Sequence, residues 1–428
     1  MLRIMMFYVP MGISAMLAAL THVIINGVLA RSDQPDVTIS SYAVALSLSF
    51  LIDLPMNVIR QTSSKYARDR ISFRAVARLS AVVAGLLLAF SIAVGWTPLG
   101  SMIFRYVFGV KQELLLPTVE VYQVLAFLYA LTAMRSLFQG VIINQLRTGW
   151  MTVGMAVRVA TMFAMSWLCI HNGWVNDGRV GAIIFVVGVA IECVVAVWEG
   201  IVLKNRLPET REERVEKTWS LLPFYMPLLY SSLVLVLLNP SIQAALNNSA
   251  NPTMAVASYA VAIQLVNMVA WFCGSVHQIV IQFYAEDRRN VLRIVTGLSI
   301  FAPAFLLTIS TGAGGWLLEG VLGLRGPLLE EVKIILRFLS VQALLFPWID
   351  YLSGKSMLLG NTRPVMVGKL CSVAISVALL ILFVYTIPAL NGGLAGLVTA
   401  LVAPIEFLVI FGWLRRTERR MDRSQAAA

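Results

Sequence analysis

Mostly apolar stretches long enough to cross a bilayer as a helix, roughly 20 residues each, recur about twelve times between Met5 and Leu414 with short polar breaks between them. That pattern leaves no interval for a water-soluble domain. Composition agrees: 59% of the 428 residues are hydrophobic and 13% charged, too little polar surface to cover a soluble globule of this size. Hydrocarbon offers the backbone no hydrogen bonds, so each stretch must satisfy its own as a helix. The expected fold is an all-α integral membrane protein with spans at 5–31, 38–63, 74–95, 116–146, 149–170, 180–203, 220–247, 254–284, 291–312, 329–359, 364–386 and 392–414.

Only Arg3 precedes the first apolar run, which outlasts a signal-peptide core and shows no convincing small-residue cleavage site, so it is expected to remain as the first helix. With the N-terminus inside, 24 of the 33 lysines and arginines fall on the cytoplasmic side, including the six from Arg60 to Arg78. Only Arg31, Arg105, Lys111, Arg179 and Arg325 fall outside. This asymmetry orients the chain with both termini cytoplasmic, in the plasma (inner) membrane. The net charge of +11 is thus read as topology rather than as a nucleic-acid footprint. Cys169, Cys193, Cys273 and Cys371 sit singly in apolar segments, without metal-binding or redox spacing.

The chain repeats itself. Phe7-Tyr8-Val9-Pro10 returns as Phe224-Tyr225-Met226-Pro227, and Ser41-Tyr42-Ala43-Val44-Ala45 returns unchanged at Ser258-Tyr259-Ala260-Val261-Ala262, with the same offset for both pairs. With one residue of slippage Tyr66-Ala67-Arg68-Asp69-Arg70 matches Tyr284-Ala285-Glu286-Asp287-Arg288. Gly109-Val110-Lys111 parallels Gly323-Leu324-Arg325, and Ile191-Glu192 parallels Ile405-Glu406. The unit is six helices, and because six is even both copies enter the membrane in the same direction. Two six-helix bundles related by a pseudo-two-fold along the membrane normal are therefore expected, with the substrate path between them. The expected divisions are a first lobe at 1–203, a cytoplasmic linker at 204–219, a second lobe at 220–415 and a basic tail at 416–428.

Six-plus-six helices, a proline-bearing first helix and this repeat make nearly the whole chain resemble the multidrug/oligosaccharidyl-lipid/polysaccharide (MOP) exporter superfamily, which includes the MATE multidrug exporters and the MurJ-type lipid flippases. Within it the chain looks most similar to the progressive ankylosis (ANK) transporters. That likeness rests on Phe7, Val9, Pro10, Gly12 and Ile13 with Asn26, then Ser41, Tyr42, Ala45, Ser47, Leu48, Pro55 and Met56, and Leu336, Arg337, Ser340, Leu352, Gly354 and Met357. The resemblance implies a V-shaped two-lobe exporter working by alternating access. For ankylosis-type members it implies export of small anions such as nucleotides, citrate or pyrophosphate. Ala19 and His22 depart from that family, standing in helix one where it looks acidic.

Charges at helix centres cost about 2.5 to 3.5 kcal/mol on insertion scales and usually face a cavity or a partner. Asp53, Arg135, Arg158, Glu192, Asp350 and Glu406 are such residues. Arg158 and Glu192 lie at similar depth in consecutive antiparallel helices, so a structural pair is expected. Arg135 and Asp350 hold roughly equivalent places in helices four and ten and form a candidate latch. Glu406 is a candidate coupling site, a buried carboxylate without a basic residue of matching depth, since Lys369 lies near the cytoplasmic end of helix eleven. Asp53 precedes Pro55 and either holds a cation beside freed carbonyls or packs against a kink. Asn26 is read as an interhelical hydrogen-bonding or cavity-lining residue. His22 and His277 are expected to be neutral partners.

No phosphate loop and no zinc-ligand spacing occur, so no cofactor is expected beyond a coupling proton or sodium ion. A transporter is expected rather than an enzyme, because no catalytic cluster stands out. The leading expectation is a monomeric secondary exporter of a small organic solute. A flippase for a lipid-linked precursor and a multidrug exporter of cationic amphiphiles are the alternatives. Four acids against two arginines among the central charges favour the cationic alternative over a polyanionic headgroup.

Overall fold

The computed structural model describes residues 1–210, 214–311, 314–321 and 324–426, with side chains described through Arg419. The middle of the expected linker, 211–213, and Gly323 of the repeat lie outside the described residues.

Among the described residues twelve helices are long and apolar enough to span a membrane. They are α1 Leu2–Leu29, α2 Pro35–Tyr66, α3 Arg70–Trp96, α4 Gln112–Asn144, α5 Gly149–His171 and α6 Gly178–Asn205, then α7 Thr218–Asn247, α8 Pro252–Phe283, α9 Arg288–Ser310, α10 Gly326–Leu358, α11 Arg363–Thr386 and α12 Gly393–Arg419. Each answers one expected span, and no strand occurs among the described residues. Short helical turns at Pro98–Met102 and Ile103–Val107 precede α4, and one at Trp316–Val321 precedes α10.

Repeated sequence produces repeated caps. Asp69 accepts from the Ser72 amide at 2.8 Å and its hydroxyl at 2.7 Å to start α3. Its counterpart Asp287 accepts from the Asn290 amide at 3.2 Å and side-chain nitrogen at 2.7 Å to start α9. Such oxygens satisfy backbone donors that the first turn leaves free. The bonds from Asn290 also hold the half-buried Asp287 carboxyl below the usual carboxylate range.

The chain forms two compact units. One is Val9–Tyr225; the other combines Met1–Tyr8 with Met226–Ala428. The chain therefore passes between units inside α1 and again inside α7, one residue before Pro10 and one before Pro227. The first turns of both helices make the same contacts in their respective units. Phe7 meets Phe283 edge-on with centroids 5.2 Å apart, and Phe224 meets Tyr66 edge-on at 5.1 Å.

In the Val9–Tyr225 unit the core gathers Ile25, Leu29, Tyr42, Phe104, Tyr122, Tyr129, Met162 and Phe185. In the other unit Val266, Leu306, Leu336 and Leu339 form one core, and Leu246, Leu380, Val398 and Val402 another. Large apolar side chains such as Leu86, Phe163, Trp198 and Ile300 stay more than 60% exposed, as expected where lipid rather than water is the solvent.

Glycines set the close helix crossings. A Cβ on Gly140 of α4 would lie 2.2 Å from Ser63 Cβ and 2.9 Å from the Arg60 carbonyl of α2. A Cβ on Gly354 of α10 would lie 2.8 Å from the His277 backbone and Val280 Cβ of α8. Arg60 corresponds to His277, and Ser63 to Val280, at the offset that relates Ser41 to Ser258, so the two units build one crossing twice.

Candidate functional site

Thr132, Arg135 and Gln139 follow one another at spacings of three and four on α4, which aligns them on one face. All three meet acids of the Val9–Tyr225 unit. The Thr132 hydroxyl donates to Asp53 of α2 at 2.6 Å. Arg135 and Gln139 both reach Glu192 of α6, through Oε2 at 2.8 Å and Oε1 at 2.9 Å respectively. Arg158 of α5 donates to the same Oε2 at 2.9 Å. Room for this comes from Gly154, whose absent Cβ would lie 3.6 Å from Glu192 Cγ, and from Gly188, whose absent Cβ would meet Met162 at 2.6 Å.

Glu192 is 3% exposed and Arg158 4%, so this is a buried, charge-assisted network with its carboxylate fully engaged. The cations are less completely satisfied. Nε of both Arg135 and Arg158 is buried without a hydrogen-bond partner. The Arg158 guanidinium lies 4.9 Å above the Phe185 ring, which also stacks on His22 at 5.6 Å. Arg60 is half-buried in α2, within electrostatic reach of Arg135, Glu192 and Asp53. Three arginines against two carboxylates leave this interior with a formal surplus of one positive charge.

The other unit treats its acids differently. Glu406 of α12 pairs with Lys369 of α11 at 2.5 Å, an ion pair without directed hydrogen-bond geometry. The reading of Glu406 as an acid without a cation is thereby corrected: Lys369 starts nearer the helix end, but its flexible stem carries the ammonium inward. Gly368 and Glu406 reproduce the contact of Gly154 with Glu192 at equivalent places in the repeat, with the absent Cβ 3.8 Å from Glu406 Cγ. Only the cation has moved, from the fourth residue after the glycine to the first.

Asp350 of α10 accepts from the His277 backbone amide of α8 at 2.8 Å, and His277 Nδ1 lies 3.1 Å from both carboxylate oxygens. Arg135 and Asp350 each have a partner inside their own unit, Glu192 and His277 respectively. Asn26 is exposed on α1 and joins none of these networks.

Arg60, Thr132 and Gln139 are functional candidates that the sequence reading misses. The spacing of Thr132 and Gln139 around Arg135 is the available signal. The sequence reading counts Arg60 among the cytoplasmic basic residues although the expected span 38–63 already contains it, as does α2. Elsewhere in this unit, a cavity of about 320 Å³ opens among Asp33, Thr38, Ser41, Glu120 and Asp177, where Arg179 already pairs with Asp177 at 2.6 Å and Glu120 at 3.7 Å.

Comparison of the sequence with protein-family models and with curated proteins finds no match. Solved structures do match. A MATE transporter in its straight conformation aligns with a TM-score of 0.77 at 14% identity, over 97% of this chain and 96% of that one. An outward-facing multidrug-resistance MATE transporter of the MOP superfamily gives 0.75 at 15%, over 97% and 95%. A MOP superfamily transporter from Pyrococcus furiosus, described as having a binding pocket of reverse polarity that suggests a different function, gives 0.72 at 14%, over 96% and 95%. From one end to the other, this chain has the fold of the MATE transporters of the MOP superfamily.

Proposed function

We propose that this protein is a secondary active exporter that moves a small organic solute bearing an anionic group, by alternating access of its two six-helix halves. The observation that carries the reading is the cluster of buried Arg158 with half-buried Arg60 and Arg135, whose charge exceeds that of Asp53 and Glu192, on a transporter fold covering nearly the whole chain. Including Arg60 and Lys369 narrows the acid excess counted from the sequence, with Glu199 of α6 a further buried acid. Glu192 holds two guanidiniums at a fixed depth, and the Nε donors left over suit a carboxylate or phosphate. The split of the basic residues supports both termini facing the cytoplasm, and we read the protein as a monomer in the plasma membrane.

Equilibrium binding of labelled citrate, ATP and ethidium to the purified protein tests the charge preference. Citrate or ATP should bind, and Arg135→Gln should weaken that binding about tenfold or more. Binding of ethidium alone contradicts the anion preference and favours a multidrug exporter of cations.

A further inference from the structure

The cap that opens α3 is repeated at α9, but the charges that follow it are not. Arg74 and Arg78 stand four residues apart on α3, where the equivalent positions of α9, at the offset that relates Asp69 to Asp287, hold Leu292 and Thr296. The fold therefore forms without this pair. Arg293, one place along α9, donates to the Asn290 side chain at 3.3 Å. Arg74 and Arg78 are exposed, and neither makes a hydrogen bond, ion pair or ring contact among the described residues. Their basic neighbours are engaged: Arg70 donates to the Asn205 carbonyl at 2.7 Å, and the Lys204 ammonium lies 5.8 Å over the Phe73 ring. Like charges four apart on a helix repel one another, and α3 contains no acidic residue to neutralise them.

We infer that Arg74 and Arg78 bind the phosphate of an anionic phospholipid whose acyl chain runs along the same face of α3. Arg78 lies about 27 Å along the helix from Trp96, close to the roughly 30 Å of a hydrocarbon core. Arg74 lies about 6 Å further out. With Trp96 at one membrane surface, Arg78 falls at the opposite edge of the hydrocarbon and Arg74 among the head groups. Trp219 marks that same surface, exposed in the first turn of α7 where it packs on α3. Toward the bilayer centre the face continues through Ala81, Gly85 and Ala89, all exposed and at spacings of three and four. A Cβ added at Gly85 meets nothing within 4 Å. One helix face thus offers two cations at phosphate depth and, beside them, an open apolar track.

Charge complementarity selects the occupant. Guanidinium forks match phosphate oxygens, and an anionic head group brings no ammonium of its own to oppose them. The arginines also stand at the end of α3 read as cytoplasmic, the side on which anionic lipids gather around basic residues. A second copy of the chain is the other occupant that a face of small residues could take. Packing two copies through this face about a two-fold axis would set Arg74 and Arg78 of each against those of the other, with no acid on either α3 to separate them. The charge therefore favours the lipid. The site depends on α3 lying in a membrane and not on which solute is carried.

Native mass spectrometry of the full-length protein, released from neutral detergent micelles, counts bound lipids directly. The protein should hold one phosphatidylglycerol at concentrations where phosphatidylcholine does not bind. Arg74→Gln/Arg78→Gln should weaken that binding about tenfold or more, given the attraction each basic residue adds at an anionic surface. Each single substitution should weaken it about fivefold, and either serves if the double variant does not fold. Arg289→Gln/Arg416→Gln removes two exposed charges elsewhere and should leave binding unchanged. Binding that ignores the loss of Arg74 and Arg78, an equal loss in the control variant, or equal binding of phosphatidylcholine overturns the site. A protein dimer that Gly85→Leu disrupts, formed from chains that hold no lipid, also overturns it and assigns the face to a second copy.

Discussion

The Tyr8 hydroxyl donates to the Phe272 carbonyl at 2.7 Å. The same bond recurs in the other unit between the repeat-equivalent positions, where Tyr225 reaches the Pro55 carbonyl at 3.3 Å. Internal duplication therefore repeats a hydrogen bond as well as a sequence pattern. Each bond secures the opening turns of a helix, α1 or α7, to the unit that the chain is about to leave.

Tyr8→Phe should destabilise the protein by about 1 to 3 kcal/mol, because the Phe272 carbonyl, beside the break in α8 at Gly274 and Ser275, loses its partner. Tyr225→Phe should cost less, since its bond is longer and Pro55 lies within a continuous helix. Denaturant titration in mixed micelles would rank the two variants.

Replacing Glu192 should be among the most damaging single changes. Glu192→Gln leaves Arg158 buried without its counter-charge and Arg135 with only Asp53, and loss of one member of a buried ion pair costs about 3 to 5 kcal/mol. Arg158→Met should cost less, because Arg135 and Gln139 still satisfy the carboxylate. The same titration compares them, and equal costs would contradict the shared-carboxylate description.

Lys369 and Glu406 should behave as one unit. Lys369→Met and Glu406→Gln should each destabilise, while the double variant should recover about 0.5 to 3 kcal/mol of the summed cost, as contacting residues do. Additive effects in a double-mutant cycle would mean that the pair contributes nothing through its contact.

Gly354→Ala should cost about 1 to 3 kcal/mol by forcing α10 away from the His277 backbone. Gly297→Ala on α9 is the control: its new methyl meets nothing within 4 Å, and the change should be neutral or stabilising by up to about 1 kcal/mol. Thermal unfolding of both variants checks the contrast.

The spans are legible in the sequence because hydrophobic length directly reports bilayer thickness, and the expected limits differ from the helices by five residues or fewer. The duplication is legible because its anchors, Tyr8 with Tyr225 and Ser41 with Ser258, keep their spacing. What hydropathy does not carry is rotation about a helix axis. Similar depth on neighbouring antiparallel helices is enough to bring Arg158 and Glu192 together, but the contact of Arg135 with the same carboxylate depends on how α4 packs on α6 and is not legible. The backbone position of Lys369 misleads in another way, since its ammonium lies a side-chain length away beside Glu406. The α8 break is hidden in an unbroken apolar run. Gly274-Ser275 is its only local signal, and His277 therefore looks isolated in the sequence although it is paired with Asp350.

Gradient-driven efflux from proteoliposomes tests the central claim most directly. Vesicles loaded with labelled citrate or ATP would be placed under an imposed proton or sodium gradient, beside vesicles carrying a labelled lipid-linked precursor. The account predicts that one of the soluble anions leaves the vesicles only when a gradient is imposed, and that Arg135→Gln slows its exit about tenfold or more. Movement of the labelled lipid alone, with both anions retained under either gradient, would contradict the account and identify a flippase.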